Sequence, residues 1–202
     1  MLVIGLTGGS GCGKNEVAKI LFERGIATID TDSVYHGLVS SDSECTRELA
    51  RAFGDDILNA DGSLLRSRLA EIVFFDDSER SSRMKLLGDI THRYIKVETE
   101  AFLQKEAEKA ARFAVIDAPV LFESGFSDLC DTTLAVLASR KTRLMRIMAR
   151  DGISEARAEA RLDAQPNDDF YMARADFVIH NDGDLAALAK EVDRWLLYID
   201  QK

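Results

Sequence analysis

Residues 8 to 15 read Gly-Gly-Ser-Gly-Cys-Gly-Lys-Asn, and no other stretch narrows the possible folds so far. Four glycines in six positions followed by a lysine let a backbone converge its N–H groups on a polyphosphate while an ammonium reaches the terminal phosphates. The preceding Leu2-Val3-Ile4-Gly5-Leu6 is a short apolar run suited to a buried strand, and Lys14 onward carries Val17, Ile20 and Leu21 at helical spacing. Strand, loop and helix in that order aim the positive end of a helix at the loop, which adds to its affinity for anions. Gly9, Ser10, Gly11, Cys12, Gly13, Lys14 and Asn15 are therefore the candidate ligands of a nucleoside triphosphate. A dinucleotide fingerprint fails on the same residues, because its third glycine would fall on Lys14 or on Glu16.

Position 15 usually carries a hydroxyl that ligates the phosphate-bridging magnesium, and here it is Asn15. An amide oxygen also binds hard cations, so Asn15 stays a candidate metal ligand. The alternative is a loop that binds nucleotide without proper metal geometry.

Further apolar runs at residues 26–29, 113–116, 134–137 and 177–179 alternate with helical stretches. That alternation predicts an α/β fold, a mainly parallel sheet with helices on both faces and ligands at the carboxyl ends of its strands. Nothing in the Pro, Gly or Ser distribution marks a boundary, so a single domain over 1–202 is expected, with a helical insertion at about 61–112. The final periodic stretch is expected to pack on the sheet, with Trp195 as a core anchor.

With 26 Lys and Arg against 35 Asp and Glu, the formal net charge of -9 disfavours nucleic acid or an anionic membrane as a partner. The first strand starts without a basic leader and no apolar run approaches a membrane span, which points to the cytoplasm. Cys12, Cys45 and Cys130 lack the spacing of a zinc site or a disulfide framework. Nothing in the pattern specifies an oligomeric state.

Carboxylates follow two of the strands. Asp30 and Asp32 sit at the mouth of the second, where a hydroxyl acceptor needs a proton acceptor; Asp32 is the candidate base, with Asp30 the alternative and a helix N-cap the competing role. Asp117 closes the third strand and is a candidate magnesium ligand. Pro119 forces an extended approach at Ala118 and could shape a wall for the acceptor. Basic residues concentrate at Arg140, Lys141, Arg143, Arg146, Arg150, Arg157 and Arg161. Arg143, Arg146 and Arg150 fall on one helical side, and Gly152 and Ser154 read as a break and a fresh cap. A helical lid over a triphosphate, at about 140–165, accounts for that density; a solvated, ion-paired hairpin is the alternative.

Taken together, these strings resemble the dephospho-CoA kinase family over nearly the whole chain. The resemblance is carried by residues 4–9, Ile29-Asp30-Thr31-Asp32, Val115 through Glu123, Arg146–Ser154, Arg161–Gln165 and Arg174–Gly183. It implies a P-loop NTPase three-layer fold and a magnesium-dependent transfer from ATP to the ribose 3'-hydroxyl of dephospho-CoA. By the same resemblance Asp32 is the base, Lys14 a phosphate ligand and Arg150 the lid arginine. Arg146 and Asn181 join the nucleotide side, with 180–183 near adenine, while the helical insertion with His92, Pro119, Leu121 and Glu123 serves the acceptor. Two departures stand out: Asn15, and Thr91-His92-Arg93 where the family usually has His-Pro. A kinase of another small acceptor and a non-catalytic nucleotide-binding regulator are the competing readings.

Overall fold

The structure, a computed structural model, describes residues 1–75 and 77–201. Its chain order is β1 (Leu2–Thr7), α1 (Lys14–Glu23), β2 (Ala27–Asp30), α2 (Thr31–Val39), α3 (Glu44–Phe53), α4 (Arg66–Phe74), α5 (Asp77–Glu108), β3 (Phe113–Asp117), β4 (Thr132–Leu137), α6 (Arg140–Asp151), α7 (Glu155–Asp163), α8 (Asp168–Met172), β5 (Phe177–His180) and α9 (Leu185–Ile199). The strands form one sheet in the order β2-β3-β1-β4-β5. β1 pairs in parallel with both β3 and β4, and β4 with β5. Each expected apolar run forms a strand, with flanking Thr, Asp or His added at one end and β2 beginning one residue late, at Ala27.

Alternation along the strands divides the core. Ile4, Leu6, Val115, Leu134, Val136 and Ile179 face α1 and α9, meeting Val17, Leu21, Leu188, Val192 and Ile199. Trp195 is buried in the same cluster, its ring edge-on to Phe177. Ala135 and Leu137 point to the other face and pack on Tyr171 of α8. Helices therefore lie on both faces, because strands with few exposed residues must be covered twice.

The chain divides into two compact units, one of Met1–Ile29 with the residues from Glu106 onward, the other Asp30–Lys105. The second is helical and has its own core of Val39, Cys45, Leu49, Ile57, Leu64, Leu69, Val73 and Ile90. No strand interrupts the expected insertion at 61–112 among the described residues, but the helical unit starts at Asp30, since 31–57 packs on the same core. Ser43 and Thr46 close a reciprocal capping box at the start of α3. Thr91, His92 and Arg93 lie mid-way along α5. A proline at 93 would lack the N–H that an unbroken helix uses. Arg93 instead donates to Glu48 of α3, which also accepts from the Tyr94 hydroxyl at 2.7 Å.

Candidate active site

β1 ends at Thr7, and the chain leaves it through the glycine loop into α1, whose N-cap is Gly13. Gly13 has φ +95°, and a Cβ there would lie 2.1 Å from Asn181 Nδ2, so both backbone angle and space demand glycine. Parallel register sets Leu6 of β1 beside Asp117 of β3, which puts that carboxylate level with the start of the loop. Lys14 Nζ donates to Asp117 Oδ1, and both side chains are largely buried. Lys14, the candidate phosphate ligand, and Asp117, the candidate magnesium ligand, are thus one ion pair.

The loop's shape is held from outside through its carbonyls. Arg143 Nε donates to Ser10 O at 2.9 Å, and Arg146 Nη1 donates to Gly11 O and Cys12 O, each at 3.3 Å. Asn181 Nδ2 adds a 2.8 Å bond to Cys12 O. In a trans peptide the N–H points opposite to the C=O that shares its plane. Anchoring the carbonyls of Ser10, Gly11 and Cys12 therefore turns the N–H groups of Gly11, Cys12 and Gly13 the other way. The Cys12 N–H is used by Gly9 O at 3.2 Å, which tightens the turn.

α6 supplies this support: Arg143, Arg146 and Arg150, which its spacing put on one side, all reach the loop. Ser139 caps the helix and Gly152, at φ +62°, ends it. Ser154 stands at the N-cap of α7 without a side-chain capping bond. Ile147, Ala158 and Leu162 join α6 to α7 as a hairpin. Arg150 Nη2 donates to Ser10 Oγ at 3.2 Å, while Arg150 and Arg161 both hold Asp151. That pairing, Arg150 first, pulls the Asp151 carboxyl below its ordinary pKa. Arg140 is bound by Glu159 and Asp163. Arg143 and Arg146 thus face the loop, Arg140 and Arg161 are tied up in ion pairs, and Arg150 does both.

Cys12 is buried with its thiol in the sheet core, and burial raises its pKa against the lowering influence of Lys14, Arg143 and Arg146. Only its main chain can meet a nucleotide. Asn15 is exposed in the first turn of α1.

Pro119 and Glu123 lie in the turns after β3; Pro119 O accepts from Thr7 Oγ1 at 3.2 Å and Glu123 is exposed. Leu121 requires a correction. It is 0% exposed, and a Cβ on Gly5 would lie 2.8 Å from its Cδ2, so it packs under β1 and cannot touch an acceptor.

In the helical unit the two aspartates differ in their bonding. Asp30 is the N-cap of α2, accepting from Asp32 N at 3.1 Å and from Ser33 Oγ at 2.6 Å. Asp32 follows in the first turn with an exposed side chain. His92 is half-buried on α5, and burial lowers its pKa against the opposing pull of Asp89.

A cavity of about 440 Å³ opens beside Arg140, Arg143, Gln165 and Asn167. Asp163, Asp168 and Asp169 in its wall outnumber its arginines, so it is a poor place for a triphosphate.

A family model described as dephospho-CoA kinase matches residues 2–187. The chain belongs to the dephospho-CoA kinase family. The dephospho-CoA kinase of Moorella thermoacetica is 42% identical over 197 residues, spanning 95% of this chain and 89% of that protein. That of Anaeromyxobacter dehalogenans is 38% identical over 196 residues, spanning 97% and 91%. Among solved structures, TT1252 from Thermus thermophilus aligns at TM-score 0.77 with 29% identity over 98% of this chain and 95% of that one. Dephospho-CoA kinase from Campylobacter jejuni aligns at 0.71 with 25% identity over 98% and 97%. A shikimate kinase from Acinetobacter baumannii, at 15% identity and TM-score 0.51, shares the P-loop fold. This dephospho-CoA kinase family member is thus a kinase, and its loop supports include Gln165, which sequence spacing alone did not single out. Arg143 was visible as part of the basic face, but its target was not.

Proposed function

We infer that the chain transfers the γ-phosphoryl group of ATP to the ribose 3'-hydroxyl of dephospho-CoA, giving CoA and ADP in the last step of coenzyme A synthesis. The observation that carries this reading is the glycine loop with Lys14 paired to Asp117 at the end of β3, in a chain of this family. Phosphoryl transfer asks little covalent chemistry of the protein, so positioning and charge stabilisation do most of it. Asp32 takes the proton of the attacking hydroxyl; its neighbour Asp30 is committed to the α2 cap. Lys14 lies against the terminal phosphates, and Arg150, one bond from Ser10, offsets charge as it spreads over the transferring oxygens. Asn181 and Arg146 serve the nucleotide through the loop they hold. His92 of the helical unit, and Pro119 and Glu123 of the sheet unit, are the residues assigned to dephospho-CoA.

Asp117 and Asn15 present the hard oxygen donors that magnesium takes, and such a site is completed by phosphate and water rather than by a protein cage. Among the described residues there is no cluster of three or more acidic, His or Cys ligands, which fits a cation shared with the substrate. Bound there, the cation would neutralise phosphate charge. The net charge of -9 argues against nucleic acid, and no helix of the described residues is long and apolar enough to cross a membrane. Work in the cytoplasm is consistent with both.

The test is incubation with ATP, magnesium and dephospho-CoA, read by mass spectrometry. One added phosphoryl group on the ribose 3'-oxygen is the expected product. ADP release that does not depend on dephospho-CoA, with no phosphorylated product, would refute the assignment.

A further inference from the structure

Both the N–H and the C=O of Ser10 are taken by side chains from the α6–α7 hairpin and the turn after it. Its N–H donates to Gln165 Oε1 at 2.9 Å, and its C=O accepts from Arg143 Nε at 2.9 Å. Arg143 Nη2 then donates to the same Gln165 oxygen at 3.0 Å, closing a ring of three residues. Arg143 comes from α6 and Gln165 from the turn after α7, so the two ends of the helical hairpin meet on one residue of the phosphate loop, on the peptides either side of its Cα. Arg143 is 7% exposed, and its third contact is Asp168, 3.5 Å away. A carboxamide oxygen accepts two hydrogen bonds without bringing charge. A carboxylate in that place would bring a negative charge to a loop built for phosphate.

We propose that Gln165 is a positioning residue for phosphoryl transfer, acting with Arg143 to lock the Ser10 peptides so that the Gly11 N–H is aimed at the transferring group. Removing the Gln165 oxygen frees the Ser10 N–H and releases one hand of Arg143. The carbonyl of Ser10 then loses its fixed direction, and the Gly11 N–H in the same peptide plane turns with it. The same contacts tie the loop to the hairpin, so the loop is fully shaped only when the two ends of the hairpin are in place. This rests on phosphoryl transfer being the reaction; a native protein without turnover would count against that reading and not against the ring.

The test compares Gln165→Leu with Gln165→Glu. Each is followed by kcat, KM for ATP, thermal midpoint, and exchange of the Ser10 amide proton by NMR without nucleotide. Gln165→Leu should lower kcat about 10- to 100-fold, the scale of a small misplacement of a catalytic group, and speed Ser10 amide exchange. Gln165→Glu keeps the acceptor: it should restore slow exchange and most of kcat while raising KM for ATP, and added salt should reduce that rise. A packing role would lower the thermal midpoint in parallel with kcat and leave Ser10 exchange unmoved. That pattern would overturn the proposal, as would Leu and Glu variants equal in kcat. Should Gln165→Leu fail to fold, Arg143→Lys reads the same ring from its other side, since an ammonium cannot span Ser10 O and Gln165 as the guanidinium fork does. Its kcat should fall and its Ser10 exchange quicken, and native values of both would refute the proposal.

Discussion

Substituting Gly13 by alanine tests how the loop is held, and Gly25 supplies the control. Both glycines have positive φ, +95° at Gly13 and +78° at Gly25, so alanine at either carries the left-handed penalty of about 1–2 kcal/mol. They differ in surroundings. A Cβ at Gly25 meets nothing within 4 Å, whereas one at Gly13 would lie 2.1 Å from Asn181 Nδ2. That amide is buried and holds Cys12 O at 2.8 Å, so the new methyl must push it off its acceptor. Losing such a bond in a buried setting costs about 1–3 kcal/mol. The lower half of that range applies here, because Arg146 also reaches Cys12 O, at 3.3 Å. Gly13→Ala should therefore cost about 2–4 kcal/mol in urea unfolding against about 1–2 for Gly25→Ala. Adding Asn181→Ala to Gly13→Ala should be less than additive, because the clash is then already relieved; a coupling of about 1 kcal/mol is expected. Equal costs at positions 13 and 25, or strict additivity with Asn181→Ala, would show that Asn181 does not hold the loop.

Three further outcomes are expected. Asp32→Ala should lower kcat about 100- to 10,000-fold while the ATP dissociation constant, measured by calorimetry, changes little; equal losses in both would remove Asp32 from the role of base. Asn15→Ser should shift the magnesium concentration needed for half-maximal turnover if the amide is the poorer ligand, and an unchanged titration would mean that the amide oxygen suffices. Burial holds the His92 pKa below the ordinary value of 6.5, so the unfolded chain takes up that proton first as pH falls. The stability of the chain should decline from about pH 6.5 until the folded pKa is passed, and His92→Gln should flatten that slope in thermal melts; an unchanged slope would place the titration elsewhere.

What the sequence made legible was what covalent neighbours decide. The strand, glycine loop and helix from Leu2 to Glu23 depend on glycines with positive φ and on an apolar stripe, both local. The arginine face of α6 was readable for the same reason, from spacing along one helix. The capping role of Asp30 was also local: an N-cap side chain reaches the N–H two residues on, and Asp30 bonds Asp32 N in that way. Leu121 misled because the turns after Pro119 have no period to show which side chain points inward. Which loop groups Gln165 and Asn181 hold could not be read from spacing, because the contacts span the chain: Gln165 lies 155 residues from Ser10 and Asn181 169 residues from Cys12. A glycine-rich motif establishes that N–H groups can converge on a phosphate, but their direction is fixed by whatever holds the carbonyls in the same peptide planes. In this chain the carbonyls of Ser10, Gly11 and Cys12 are held by Arg143, Arg146 and Asn181, and the Ser10 N–H by Gln165, so the direction of the loop is set by side chains outside the motif.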